Sequence, residues 1–242
     1  RILKIDPKKD SAKLVGSDLG FSKGKWGLGV CVPNGCLYFS PGCSNKILKY
    51  DPEKETSSYA GEDLGVTRNL EYEYRTTEWK YLGCVLGNDG SIYFVPLDAK
   101  TVMRHDLSSG RTTFFGDINH LSRPATWHGG VVGKDNRFIY CFPNTASQFL
   151  KIDTKKKSTS LVGNKLSDKF AKFEGAVQTS DGVLYSLPLN EERIIRFNPD
   201  TGKTEYMGDS FLGDWKWSHP VLATDGFIYG VPYGARKVIK VK

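Results

Sequence analysis

No stretch of the chain approaches the roughly 18 consecutive apolar residues that a membrane helix needs, which removes a membrane span by helices. Methionine occurs only twice, and no segment holds a convincing 3.6-residue apolar period, so helical and coiled-coil classes are excluded. The five cysteines (Cys31, Cys36, Cys43, Cys84, Cys141) lack paired C-x-x-C spacing, so no structural zinc site is expected. Cys31 and Cys36 flank an Asn34-Gly35 turn, which leaves a single disulfide open. An Asn-x-Ser/Thr acceptor is also missing, and with the odd cysteine count this favours a reducing, cytoplasmic setting. The chain opens at Arg1 with neither an initiator Met nor a signal segment, as a fragment or processed form would.

Abundant instead are 26 Gly, 11 Pro, 12 Tyr and 13 Phe in 242 residues, the bias of many short strands joined by tight turns. A formal net charge of +7 is spread along the chain, with one dense run at Lys155 to Lys157. Without a basic stripe interleaved with exposed aromatics, that charge disfavours a nucleic-acid partner.

The dominant signal is an internal repeat. A Tyr-x-x-Pro phrase recurs at Tyr38-Phe39-Ser40-Pro41, Tyr93-Phe94-Val95-Pro96, Tyr140-Cys141-Phe142-Pro143, Tyr185-Ser186-Leu187-Pro188 and Tyr229-Gly230-Val231-Pro232, with tyrosine spacings of 55, 47, 45 and 44 residues. Six residues after each Pro stands an apolar pair followed by a basic residue, as in Ile47-Leu48-Lys49 and Val102-Met103-Arg104. The amino terminus, Ile2-Leu3-Lys4-Ile5, is a further copy. Glycines Gly16, Gly61, Gly116, Gly163 and Gly208 each lie ten residues beyond an Asp or Asn, and upstream an aromatic precedes a valine by four in Trp26/Val30, Tyr81/Val85, Trp127/Val131, Phe173/Val177 and Trp217/Val221.

Each unit therefore holds four short strands: one from the aromatic to an Asn-Gly or Asp-Gly type turn, the Tyr-Pro strand, the apolar-basic strand, and one ending at the glycine. Four antiparallel strands repeated five times predict an all-β fold, a five-bladed β-propeller forming a single domain over 1–242. Its ends are expected to close by N- and C-terminal strands sharing the last blade, although a parent with six or more blades stays open.

The phrase Asp181-Gly182-Val183-Leu184-Tyr185, with Ile194-Ile195-Arg196-Phe197-Asn198-Pro199-Asp200-Thr201-Gly202 downstream, resembles the repeats of NHL-type and virginiamycin-B-lyase-like propellers. In blade number the chain also resembles the five-bladed tachylectin-type lectins, without their repeat motif. The resemblance implies a propeller among whose relatives are scaffolds, sugar-lactone hydrolases and lyases, and fold does not fix function.

Several registers carry candidate chemistry. Lys25-Trp26, Lys80-Tyr81, Lys172-Phe173 and Lys216-Trp217, with Trp127 in the remaining blade, fall on one face by propeller topology, and an indole face suits a sugar ring or a cation. They support a non-catalytic binding module: a protein-interaction scaffold, or a receptor for small-molecule or carbohydrate ligands, monomeric and without a cofactor. The insertion from Glu62 to Lys80, with Glu71, Tyr72, Glu73, Tyr74, Glu78 and Trp79, departs from the repeat and is read as a partner loop.

Three residues past the aromatic the side chain is always small (Gly29, Cys84, Gly130, Ala176, Pro220), which leaves the channel without the opposed carboxylates of a glycosidase. One register breaks the symmetry: directly after the aromatic stand Gly27, Leu82, His128, Glu174 and Ser218, with His219 next. His128, Glu174 and His219 are the candidate catalytic residues of the competing reading, a lyase or hydrolase, with a divalent cation as one option. The basic residues Lys4, Lys49, Arg104, Lys151, Arg196 and Lys240 are expected to pair with the acidic residue two positions later on the same strand face.

Overall fold

The structure is a computed structural model, and it describes residues 1–21, 24–65, 79–118 and 126–242. It is an all-β propeller of five antiparallel blades around a central channel, as the repeat predicts. The first blade is β3 (Trp26–Cys31), β4 (Leu37–Pro41), β5 (Ile47–Asp51) and β6 (Thr56–Ala60), preceded by a hairpin of β1 (Ile2–Asp6) and β2 (Ser11–Val15). The second is β7 (Tyr81–Leu86), β8 (Ser91–Pro96), β9 (Val102–Asp106) and β10 (Thr112–Phe115); the third is β11 (Trp127–Val132), β12 (Phe138–Pro143), β13 (Phe149–Asp153) and β14 (Ser158–Val162). The fourth holds β15 (Val177–Gln178), β16 (Leu184–Ser186), β17 (Ile194–Asn198) and β18 (Lys203–Met207), and the fifth β19 (Trp217–Leu222), β20 (Ile228–Pro232) and β21 (Ile239–Val241). Among the described residues no helix is long and apolar enough to cross a membrane.

The ends meet the sheets differently from a shared last blade. The third strand of the fifth blade is β21, paired with β20, while β1 pairs with β2 in a two-stranded sheet of its own. A Cβ added at Gly16 would meet Ser57 of the first blade, just as one at Gly116 would meet Thr159 and one at Gly163 would meet Thr204 of the blade that follows. By that equivalence the hairpin sits as the outer half of a blade stacked before the first.

Strand alternation explains the seams, because residues i and i+2 share a face and neighbours in sequence do not. The repeat tyrosine, the residue two beyond it and the first apolar residue of the third strand all face the following blade. In the third seam these are Tyr140, Phe142 and Phe149, packed against Phe173, Leu184, Ile195 and Phe197 of the fourth blade. Tyr93, Val95 and Val102 make the same use of Trp127, Ile139, Cys141 and Leu150. At about 1.5–3 kcal/mol for each large apolar side chain fully buried, these seams are the main cohesive force of the fold.

Backbone bonds follow the same rule. The residue before the entry aromatic donates its amide to the carbonyl just after the Pro of the preceding blade: Lys80 to Gly42, Thr126 to Leu97 (2.9 Å), Lys172 to Asn144 (2.7 Å) and Lys216 to Leu189 (3.0 Å).

The expected ion pairs two residues apart are found in one blade, where Arg104 meets Asp106 at 3.1 Å. Elsewhere the basic residues pair differently, as in Lys4 with Glu55 and Arg196 with Glu205. The acidic register closes turns instead, because Oδ1 of Asp6, Asp51, Asp106, Asp153 and Asn198 accepts the amides two and three residues later. Cys31 and Cys36 are free thiols, with Cys31 Sγ turned toward the carbonyls of Val32 and Gly35.

At the channel the first strands of the second, third and fourth blades approach the next blade so closely that a side chain would clash with its backbone. Gly129 has φ +71°, and a Cβ there would lie 3.1 Å from the Gly175 Cα. Replacing Gly129 with Ala should therefore cost about 1–3 kcal/mol or more of stability. The control Gly90→Ala, with φ +73° but open space around it, should lose only the left-handed backbone term of about 1 kcal/mol. Chemical denaturation of the two variants checks the difference, and equal losses would contradict the close-approach argument.

Candidate functional site

The channel neck is a row of residues two past the entry aromatics. Leu28, Gly83, Gly129, Gly175 and His219 line it together with Gly29, Cys84, Gly130, Ala176 and Pro220, enclosing a cavity of about 200 Å³. A Cβ on Gly83 would lie 3.0 Å from the Gly129 Cα, and one on Gly175 would lie 3.3 Å from the His219 Cα, so neighbouring blades touch backbone to backbone. Gly83, Gly129 and Gly175 all have positive φ, and His219 holds the same register at φ +47°. A non-glycine residue there is strained by about 1–3 kcal/mol, and strain of this kind is characteristic of functional positions.

Cross-blade backbone bonds fix the neighbouring register. The Gly175 amide donates to the His128 carbonyl at 3.3 Å, and the His219 amide to the Glu174 carbonyl at 3.0 Å. These bonds bring the three sequence-predicted residues together: His128 Nδ1 lies 2.8 Å from Glu174 Oε1, and the His128 and His219 rings meet edge-on with centroids 5.3 Å apart. Ser218 joins them, bonding both to Glu174 and to His219 Nδ1. The sequence placed Ser218 in the symmetry-breaking register, but only the folded bulge after it reveals its bridging position.

The contacts define one consistent proton arrangement. A carboxylate only accepts, so His128 donates from Nδ1 and Ser218 donates from its hydroxyl; His219 Nδ1–H then donates to the Ser218 oxygen. Both Nε2 atoms are left out of this network, buried with no hydrogen-bond partner. Burial alone would raise the Glu174 carboxyl, but the hydrogen bond and charge of His128, with Ser218 and His219, outweigh it and hold it below the ordinary range. His219 is shifted down by desolvation first and by the neighbouring His128 second, with the Glu174 charge opposing both. A neutral imidazole at the channel wall is thus favoured. Cys84 lines the same channel, but burial pushes its thiol up to about 12, so it is no thiolate in neutral water. Among the described residues no group of three or more His, Cys, Asp or Glu is placed to hold a metal ion.

The aromatic and lysine registers lie elsewhere. Tyr81, Trp127, Phe173 and Trp217 are buried and Trp26 is half-buried, with the three indole N–H groups donating to the carbonyls of Lys46, Gln148 and Lys237. Lys172 is fully buried and bonds the Thr145 and Lys169 carbonyls at 2.9 and 3.2 Å. Lys216 reaches the Leu189 and Gly213 carbonyls, Lys25 the Leu19 carbonyl, and Lys80 the Asn45 side chain. These ammonium groups satisfy loop carbonyls between blades. Glu71, Tyr72, Glu73, Tyr74 and Glu78 fall outside the described residues. Trp79 donates its amide to Asp98, and its ring lies over Gly24 and Gly42 of the first blade.

No protein-family model matches the sequence, and no curated protein does. Among solved structures, virginiamycin B lyase of Staphylococcus aureus superposes with a TM-score of 0.75 at 14% identity, over 99% of this chain and 73% of that one. A streptogramin B lyase gives 0.74 at 16% identity, over 99% and 75%. A catalytically inactive histidine-to-alanine variant of the staphylococcal lyase with quinupristin gives 0.65 at 14% identity, over 93% and 72%. The structural neighbours are thus virginiamycin B lyase-like propellers, a likeness of fold.

Replacing His219 with Gly, the residue of that register in the second, third and fourth blades, should relieve the backbone and raise stability by about 1 kcal/mol. It also removes a group whose folded pKa is depressed. The stability His219 contributes is complete above its unfolded value near 6.5 and is lost as pH falls through the lower folded value. Glu174 adds a second loss further into acid. The difference between native and His219→Gly unfolding free energies should therefore widen from about pH 6.5 downward; a parallel pair of profiles would contradict the placement.

Proposed function

We propose that the protein is an enzyme of the lyase or hydrolase type that works by general acid–base catalysis at the channel mouth. The observation carrying this reading is the hydrogen-bonded chain His219–Ser218–Glu174–His128, which leaves the Nε2 of each imidazole without a partner. A neutral His takes a proton from a substrate carbon or an attacking water, and Glu174 stabilises the imidazolium that forms on His128. That imidazolium then gives the same proton to the leaving group, which restores the neutral His128. Lowering of the His219 pKa keeps its base form available below pH 6.5.

Small residues around the neck support the reading, since they leave room for a ligand beside His219 without placing other charges there. Lyases among the structural neighbours support it too, and the loss of activity in one of them on replacing a histidine is the same dependence expected here. The alternative, a non-catalytic binding module for protein or carbohydrate partners, relied on exposed aromatic and lysine side chains, and those registers are drawn into the blades.

Turnover of a panel of esters, lactones and quinupristin tests the proposal. His128→Ala and His219→Gly should each lower kcat by about 10²- to 10⁴-fold, and Glu174→Gln by a smaller factor, with strand content unchanged by circular dichroism. The acid limb of the native pH–rate profile should lie below pH 6.5. Full turnover in the His128→Ala, His219→Gly double variant would overturn the assignment.

A further inference from the structure

The channel neck is kept clear of side chains by its own backbone. Of the five residues two past the entry aromatics, Gly83, Gly129 and Gly175 take left-handed φ values of +103°, +71° and +76°, and a Cβ on each would meet the next blade's backbone at 3.0–3.3 Å. Glycine alone fits these three places. Leu28 and His219, from the first and fifth blades, are the two positions in the row that bring a side chain to the cavity.

The neighbouring row turns mostly into the seams between blades. Cys84 and Ala176 pack against the second and third seams' apolar clusters, and a Cβ on Gly29 would meet Phe39, while one on Gly130 would meet Val85, Val95 and Ile139. Pro220 stays at the neck, its Cδ 3.5 Å from the Cβ position of Gly175.

Among the described residues lining the cavity, none carries a formal charge in neutral water. Desolvation, then the charge of His128, lowers the His219 pKa, and burial pushes the Cys84 thiol up to about 12. Glu174, in the adjoining register, is held by His128 and Ser218, and the Lys172 and Lys216 ammonium groups are bound to loop carbonyls. A charged group brought into the neck would lose water without gaining a counter-ion, which is costly. An uncharged apolar group gains by leaving water. The volume of about 200 Å³ is ample for one ring, since an apolar cavity of about 150 Å³ accepts benzene.

We propose that the neck is a specificity pocket for one uncharged ring of phenyl size, and that Leu28 sets its dimensions. The three glycines hold the opening, Leu28 and Pro220 give it apolar walls, and His219 stands beside the ring. The inference rests on the acid–base reading for its place in a reaction: the pocket selects esters and lactones whose neutral ring enters the neck while the reacting bond lies at the mouth.

Binding measured without turnover tests it. Saturation-transfer NMR titrations of the native protein with benzyl alcohol, benzoate and benzylammonium compare probes that share a ring and differ in charge. Benzyl alcohol should bind about tenfold or more tightly than either ion. Leu28→Trp should weaken benzyl alcohol by a similar factor. Leu28→Ala should bind naphthylmethanol more tightly than the native chain does, a gain that a misfolded variant does not give. Equal binding of the three probes, no binding of any, or Leu28 variants that bind as the native protein does would overturn the pocket. Failure of the acid–base reading has a different signature: no turnover of the ester and lactone panel, with the binding pattern and its dependence on Leu28 intact.

Discussion

Everything in this propeller depends on how closely the inner strands approach at the channel. Gly83, Gly129 and Gly175 stand in one register with Leu28 and His219, and a Cβ on each of the three glycines would fall 3.0–3.3 Å from the next blade's backbone. No ordinary side chain fits those three gaps, and glycine, free to take the left-handed backbone, fills three of the five places in the register. The bulge that each first strand makes just after its aromatic is the same constraint seen in the ladder, in blades one, two, three and five. With the backbones so close, amide-to-carbonyl bonds cross from blade to blade and lock successive first strands in register.

That locking turns a sequence register into a site. His128, Glu174 and Ser218 occupy one position on three successive blades, and cross-blade bonds at their carbonyls and next-residue amides hold them within hydrogen-bonding reach. Against the cost of burial, the hydrogen bond and charge of His128, then Ser218 and His219, keep the carboxylate ionised. Each imidazole spends its Nδ1 on this network and leaves Nε2 unpartnered in a water-poor place, where an unpaired polar atom costs free energy unless a ligand satisfies it. A strained His219 and two orphaned nitrogens are the features by which a functional site departs from local stability.

Much of this was legible in the sequence, for a physical reason. Blade seams are built from strand alternation, so the recurrence of tyrosine, proline and apolar pairs reports the packing directly. The asymmetry at His128, Glu174, Ser218 and His219 was visible because four other registers were so uniform. Less legible were directions that only the fold sets. Lys172 and Lys216 read as solvent-facing cations beside aromatics, but loops between blades bend their ammonium groups onto buried carbonyls. Asp51 and Asp153 read as strand ion-pair partners, and the turn amides two and three residues on claim them first. The bridging role of Ser218 needed the bulge, and the separate pairing of β1 with β2 needed the seam geometry of Gly16 against Ser57.

The most direct test is nitrogen-15 NMR of the imidazole groups in the purified protein near neutral pH. The account predicts that His219 carries its proton on Nδ1 with a bare Nε2 and titrates below the ordinary value of about 6.5, and that His128 keeps a proton on the Nδ1 that faces Glu174. A spectrum with Nε2 of His219 protonated, with Nδ1 of His128 bare, or with His219 titrating at or above the ordinary value, would contradict the proton arrangement on which the acid–base site rests.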